Sequence, residues 1–284
     1  MKIGVPLFLL RPEHMPDVAR RADELGFESV WFAEHLVFPV RITSKYPYTA
    51  DGQPPINPAT PLLDPLVFLA HIAARTSRIR LGTNIYLLPL RHPIAVARMA
   101  MTLDLVSGGR LSFGVGAGWL KEEFDATAID FESRGARMRE AVRALRTLWT
   151  ESEPEFHGRH FDFGPVKFEP KPVQKPHPPL LFGGETEAAL RRAADLGDGW
   201  FGVGHTPESA AARVASLRQL REKAGRADAP FEITVSCPPV RRDQIPAYEE
   251  AGVDRLVMLP WQRGREAHEK LESLADELRL QMPE

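Results

Sequence analysis

Three times along the chain a helical pattern closes on a glycine and the residues that follow turn into a β-branched or aromatic run. The junctions are Leu25-Gly26-Phe27 before SVWFAEH, Leu196-Gly197-Asp198 before GWFGVG, and Ala251-Gly252-Val253 before RLVMLP. Glycine just past a helix accepts the left-handed backbone that ends it, so each junction marks a passage from helix to strand. Helix starts are marked as clearly. Asp64-Pro65 and Thr206-Pro207 pair a capping oxygen with a proline at the first helical position, where the missing N–H is no loss. Between such marks, Met138, Val142, Leu145 and Trp149 share one helical stripe across residues 134–149.

Strand candidates fall at residues 3–9, 28–34, 79–86, 110–117, 179–183, 199–203, 231–236 and 254–259, eight in all. Each is followed by a helical segment, and strict alternation of strand and helix implies a parallel sheet with right-handed crossovers. Eight such units in 284 residues fit a (β/α)8 TIM barrel better than an open, doubly wound sheet. The expectation is one α/β barrel domain over residues 1–284.

With 43% hydrophobic and 26% charged residues the chain has globular composition, which excludes disorder, collagen and coiled coil. The 36 basic and 38 acidic residues leave a net charge of −2 without blocks of like charge. That balance gives no footprint for nucleic acid or a membrane surface. The single cysteine, Cys237, cannot pair within the chain and has no CxxC partner, which suits a reducing compartment. The opening MKIGVPLFLLRPEH carries too short an apolar run for a signal segment or a membrane span, so it reads as a strand and the protein as cytoplasmic.

Two proline-rich stretches, 36–63 and 151–178, are too long for ordinary connections of such a barrel. The first follows a strand and so leaves from the C-terminal face, where barrel active sites sit. With Phe38, Tyr46 and Tyr48 it reads as a substrate lid, packing against the barrel rim being the plainer alternative. The second follows a helix and starts from the opposite face, where it is expected to add structure rather than chemistry.

Candidate chemistry lies at the strand ends: Glu34-His35, the segment 84–89, residues 114–119, Gly183 to Thr186, residues 202–205 and Pro260-Trp261. GVGAGW lacks the third glycine of a dinucleotide fingerprint and no P-loop exists, so its glycines would instead let a flat ring or a backbone approach closely. Phe182-Gly183-Gly184-Glu185-Thr186 opens directly into a helix, which aims backbone N–H groups at one point as an anion site, or else forms a tight turn with a Thr or Glu cap. No HExxH occurs, and no metal site is expected. GxSxG is absent and Ser112 sits mid-strand, which leaves serine hydrolysis without support. His35 ends a strand beside Glu34, where an imidazole can exchange a proton near neutral pH and a carboxylate can orient it; a satisfied core histidine is the alternative.

The strings WFAEH at 31–35, YPYTADG at 46–52, IRLGTNIYLLPLRHP at 79–93, TLDLVSGGRLSFGVGAGWLKEEF at 102–124, RGARMREAVRALRTLW at 134–149 and LRRAADLGDGW at 190–200 occur in one order and spacing. Together they closely resemble the luciferase-like monooxygenase superfamily, and within it the oxidoreductases that use the deazaflavin coenzyme F420. The resemblance covers essentially the whole chain and implies an eight-stranded α/β barrel with insertions.

It also implies roles for particular residues. The deazaflavin or flavin ring would lie over a bulge after the third strand, commonly containing a non-proline cis peptide, which falls here at Asn84 and Ile85. Gly116, Ala117, Gly118 and Trp119 would line the ring and substrate side, and Gly183, Gly184 and Thr186 would meet the cofactor's phosphate tail. His35, of the acidic-residue–His pair that it forms with Glu34, would donate the proton or polarise the substrate. One departure stands out: where the sugar-phosphate dehydrogenase branch has a catalytic carboxylate, this chain has Trp119, and neither Glu122 nor Glu123 simply replaces it, since one helical residue turns a side chain by about 100°. The implied activity is hydride transfer between F420 and a small organic substrate by a homodimer. The alternatives are an FMN-dependent monooxygenase of the same fold and a non-enzymatic flavin or deazaflavin carrier.

Overall fold

The computed structural model describes residues 1–49, 51–54 and 56–281; Ala50 and Pro55 of the first insertion and the last three residues of the expected domain lie outside the described residues. Eight parallel strands form the barrel: β1 (Lys2–Pro6), β2 (Ser29–Phe32), β3 (Arg80–Thr83), β4 (Leu111–Gly116), β5 (Leu180–Gly183), β6 (Gly199–Val203), β7 (Glu232–Cys237) and β8 (Arg255–Met258). They pair in sequential order, and β8 returns to β1 with Lys2 opposite Arg255. The ring closes where β3 meets β4, Leu81 opposite Leu111 and Gly82 opposite Ser112. The expected barrel is therefore observed, with the helices α1 (Met15–Glu24), α2 (Pro65–Ala73), α3 (Pro93–Val106), α4 (Lys121–Ala126), α5 (Arg134–Thr150), α6 (Glu187–Leu196), α7 (Pro207–Lys223), α8 (Ile245–Glu250) and α9 (Ala267–Leu278) interleaved among the strands.

The expected third strand is interrupted. After Thr83 the chain turns through Asn84-Ile85, joined by a cis peptide, and resumes as the short strand Tyr86–Leu87 against the far end of β4. Asp64 and Thr206 cap α2 and α7 as their sequence contexts predict, each followed by proline. Met138, Val142, Leu145 and Trp149 all lie buried on α5.

One junction is made differently from the expectation. Gly26 and Gly252 have φ of 87° and 83°, but Gly197 is extended, with φ −82° and ψ 156°. Its glycine answers to room instead: a Cβ there would lie 2.6 Å from the Ala193 carbonyl oxygen and 2.9 Å from that of Gly199.

Inside the barrel Trp31, Leu181, Phe201 and Val257 are buried together, with Ile85 and Val203 packed on them toward the C-terminal end. Trp31 and Phe201 stack at 5.1 Å, and the indole N–H of Trp31 donates to Ser29 Oγ at 2.9 Å. The larger core lies between the strands and the surrounding helices.

The second insertion forms a short antiparallel hairpin, Phe156–His157 with Asp162–Phe163. Backbone amides of Arg159, His160 and Phe161 donate to Glu140 on α5, and Gln174 hydrogen-bonds Asp104 on α3 and the Leu111 carbonyl. The first insertion contains no helix or strand among its described residues and lies against α4: the backbone and hydroxyl groups of Thr43 and Ser44 donate to Glu122 at 2.5–3.0 Å.

Candidate active site

Because all eight strands run the same way, their C-terminal ends share one mouth, and side chains far apart in sequence meet there. Glu34 and His35 follow β2 and separate at once. The His35 imidazole, 11% exposed, places Nδ1 2.9 Å from Oε2 of Glu123, a fully buried residue in the first turn of α4. The second oxygen of Glu123 accepts the Leu36 amide at 2.5 Å. An ionised carboxylate only accepts, so Nδ1 carries the proton and Nε2 is left for a ligand; among the described residues Nε2 has no partner.

Glu123 is thus the carboxylate that orients His35, which corrects the expectation that Glu34 does so and adds a site residue that the helical-rotation argument had set aside. Its signal lay in the Glu122-Glu123 pair that opens α4 after GVGAGW, but only the closed ring shows that the β4 exit faces the β2 exit.

Glu34 faces inward, 5% exposed. It pairs with Arg91, accepts the Leu87 amide just past the bulge, and through Arg91 reaches Asp64, the cap of α2, at 3.4 Å. The Arg91 guanidinium also lies 4.4 Å above the Tyr86 ring. Burial pushes the Glu34 carboxyl up to about 7 although Arg91 and the Leu87 N–H both pull it down. Its contacts make Glu34 a brace of the bulge.

The bulge itself is the floor of the mouth. Cβ atoms on Gly116 and Gly183 would stand 2.8 Å and 2.6 Å from the Ile85 side chain, and one on Gly114 would strike the Thr83 carbonyl oxygen at 1.9 Å. These glycines therefore make room first for the chain's own bulge, as close approach of a backbone requires. Asn84 Oδ1 is buried with no partner among the described residues. Ala117 is half-buried, and Gly118 has φ +86° over the Phe124 ring.

Trp119 stands edge-on to both Tyr46, at 5.0 Å, and His35, at 5.8 Å, while Phe38 packs on His35 at 4.5 Å. An aromatic wall thus runs from the first insertion to the imidazole.

Across the mouth, Gly183 and Gly184 (φ +116°) lead into α6, which Thr186 caps by accepting the Ala189 amide at 3.2 Å. The capped turn and the N-terminal end of a helix occur together here. Glu185 reaches back to the exit of β6, where it accepts the Val203 amide at 3.1 Å and pairs with His205 Nε2 at 3.1 Å and Arg213 Nε at 3.3 Å. Burial pushes the nearby Tyr48 phenol up to about 12, the charge of Glu185 adding to it. Among the described residues no group of three or more His, Cys, Asp and Glu could hold a metal, and no helix is long and apolar enough to cross a membrane.

The residues of the mouth fit a flat heterocycle with a phosphate tail on two observations: an unpartnered acceptor, Asn84 Oδ1, beside the Ile85 floor, and the Gly183-Gly184 turn at a helix start.

Comparison with known proteins agrees with this architecture. An uncharacterized protein of Mycobacterium tuberculosis is 36% identical over 284 residues, covering 98% of this chain and 99% of its own. The F420-dependent glucose-6-phosphate dehydrogenase of Kineococcus radiotolerans is 28% identical over 283 residues, 95% of this chain and 77% of its own. Among solved structures, monooxygenase RslO1 from Streptomyces bottropensis superposes with a TM-score of 0.78 at 25% identity, over 98% of this chain and 99% of that one. The model of the luciferase-like monooxygenase family matches residues 8–281. The chain belongs to that family.

Proposed function

We propose that the protein is an oxidoreductase that moves a hydride between coenzyme F420 and a small organic substrate. The observation that carries the proposal is the joint placement of the Ile85 floor and the His35–Glu123 pair at one mouth, so that a ring and a proton-exchanging group would face the same space. Bound F420 supplies the hydride donor or acceptor carbon. The chain supplies the rest: Asn84 and Ile85 beneath the ring, Gly116 to Trp119 along its edge, and Gly183, Gly184 and Thr186 at the phosphate end. His35, its Nδ1 held by Glu123, gives or takes a proton at Nε2. Phe38, Tyr46 and Trp119 suit an apolar or ring-shaped substrate, and the first insertion, tied to Glu122, keeps water out as a lid. We take the enzyme to be a cytoplasmic homodimer.

The Kineococcus relative supports F420; RslO1, a monooxygenase by name, supports the oxygen chemistry of the rival reading, in which FMN would be the cofactor. Equilibrium titration of the purified protein with F420 and with FMN, each followed by fluorescence, separates them. Tight, selective binding of F420 is expected. Preference for FMN transfers the proposal to oxygen chemistry, and binding of neither overturns it. Undiminished turnover in His35→Ala points to a different acid, and no turnover with any enone, imine or alcohol favours the carrier, which needs no proton donor.

A further inference from the structure

At the phosphate end of the mouth the chain has placed a negative charge of its own. Glu185 lies between the Gly183-Gly184 turn and the cap Thr186, and its carboxylate reaches the last amide of β6, so it occupies the crevice between the exits of β5 and β6. Arg213 and His205 are its charged and titratable neighbours, and its charge bears on the Tyr48 phenol of the first insertion. Glu185 neutralises Arg213, so an anionic tail entering this crevice finds no free cation, and the attraction it forgoes grows with the charge it brings.

We infer that Glu185 is a specificity residue of the cofactor site, set against a dianionic phosphate monoester and tolerant of a monoanionic phosphodiester. The inference rests on the proposed cofactor reading, in which the phosphate lies at Gly183-Gly184. It separates the two candidate cofactors by their chemistry. FMN ends in a monoester that carries close to two negative charges above pH ~7, whereas F420 is joined to its tail through a phosphodiester with one. The carboxylate is held by the Val203 amide on β6, by Arg213 on α7 and by His205 on the connection between them, so it does not simply swing away from a ligand.

The test is a fluorescence titration at pH 8 and low salt of wild type and Glu185→Gln with F420, FMN and riboflavin. Riboflavin has the ring of FMN without its phosphate, so the ratio of the two dissociation constants isolates the contribution of the monoester. Glutamine keeps an oxygen for the Val203 amide and removes only the charge. At on the order of tenfold for each charge on the phosphate group itself, Glu185→Gln is expected to bind F420 about tenfold and FMN about a hundredfold more tightly, with riboflavin unchanged. Arg213→Gln should do the reverse and weaken FMN more than F420, which keeps the test intact if the first variant folds poorly. Equal gains for FMN and F420, a gain for riboflavin as large as that for FMN, or no gain at all overturns the inference while leaving the cofactor reading in place. Wild-type protein that binds none of the three overturns the cofactor reading, and the inference with it.

Discussion

Two adjacent residues, Glu34 and His35, carry opposite duties because a strand exit sends successive side chains to opposite sides. His35 turns to Glu123 and the open mouth, Glu34 to Arg91 and the protein interior. His35→Asn is expected to lower kcat by about 10²- to 10⁴-fold, the usual worth of a positioned acid or base. F420 affinity measured by fluorescence should stay within about threefold, since the imidazole's protein contacts run to Glu123, Phe38 and Trp119 and none to the bulge.

Glu34 gives a stability signature instead. Its folded carboxyl titrates near 7, above the ordinary 4.5, so the folded state holds a proton that the unfolded chain releases. Stability from this group is therefore complete below about 4.5 and declines as pH rises to about 7. Thermal melts of wild type should fall across that window more steeply than those of Glu34→Gln, which has no proton to lose; parallel curves would refute the assignment. From sequence, the pair could be seen as chemistry-bearing, but not its division of labour. The deciding partners, Glu123 and Arg91, lie 88 and 57 residues from His35 and Glu34, and only closure of the ring brings them in.

The elements themselves were largely legible, because the marks that start and stop a helix act locally. Proline after Asp64 or Thr206 and glycine after a helical stripe have their effects within a turn. Gly197 shows the limit: its position was readable, while its reason, crowding by the Ala193 and Gly199 carbonyls, is tertiary. The break in the third strand was legible only through family resemblance, since nothing in GTNIYL itself dictates a turn.

The first insertion could be placed on the active face but not attached to anything, and its anchor is the carboxylate of Glu122. Burial pushes this carboxyl upward, yet the hydroxyls and amides of Thr43 and Ser44 outweigh it and hold it at about 2. Being lowered from 4.5, it favours the anchored lid fully above that pH and loses its hold as the pH falls toward 2. Glu122→Ala should raise amide hydrogen exchange in residues 41–48 at neutral pH and raise KM more than it changes kcat. Unchanged exchange there would show that the lid is held by its aromatic contacts alone.

At the scale of the molecule, the two ends of the barrel are built to different purposes. The C-terminal mouth leaves polar atoms such as Asn84 Oδ1 unpartnered, while the N-terminal end is sealed by a saturated ion network. Arg255, 1% exposed, forks onto both oxygens of Glu28 at 2.7 Å, pairs with Glu232, and donates to Thr234 Oγ1 at 3.0 Å, with Lys2 closing on Glu232 at 2.6 Å. These residues belong to β1, β7, β8 and the entrance of β2, so one guanidinium ties the strands where the chain begins and ends its circuit. Removing one member of a buried ion network leaves the others uncompensated, at a cost of about 3–5 kcal/mol.

Arg255→Met, which keeps the apolar stem, should therefore lower Tm by roughly 6 to 20 °C, taking about 2–4 °C per kcal/mol for a domain near this size. The same variant should bind F420 as wild type does, because a strand of four or five residues, about 13–17 Å, stands between the seal and the mouth. A melt shifted downward with an unchanged dissociation constant would mean that stability and chemistry occupy opposite ends of one barrel. A shifted dissociation constant would mean that strain at the base reaches Ile85 through Trp31, whose indole lies 5.5 Å from the Arg255 guanidinium and within the same buried cluster as the floor of the mouth.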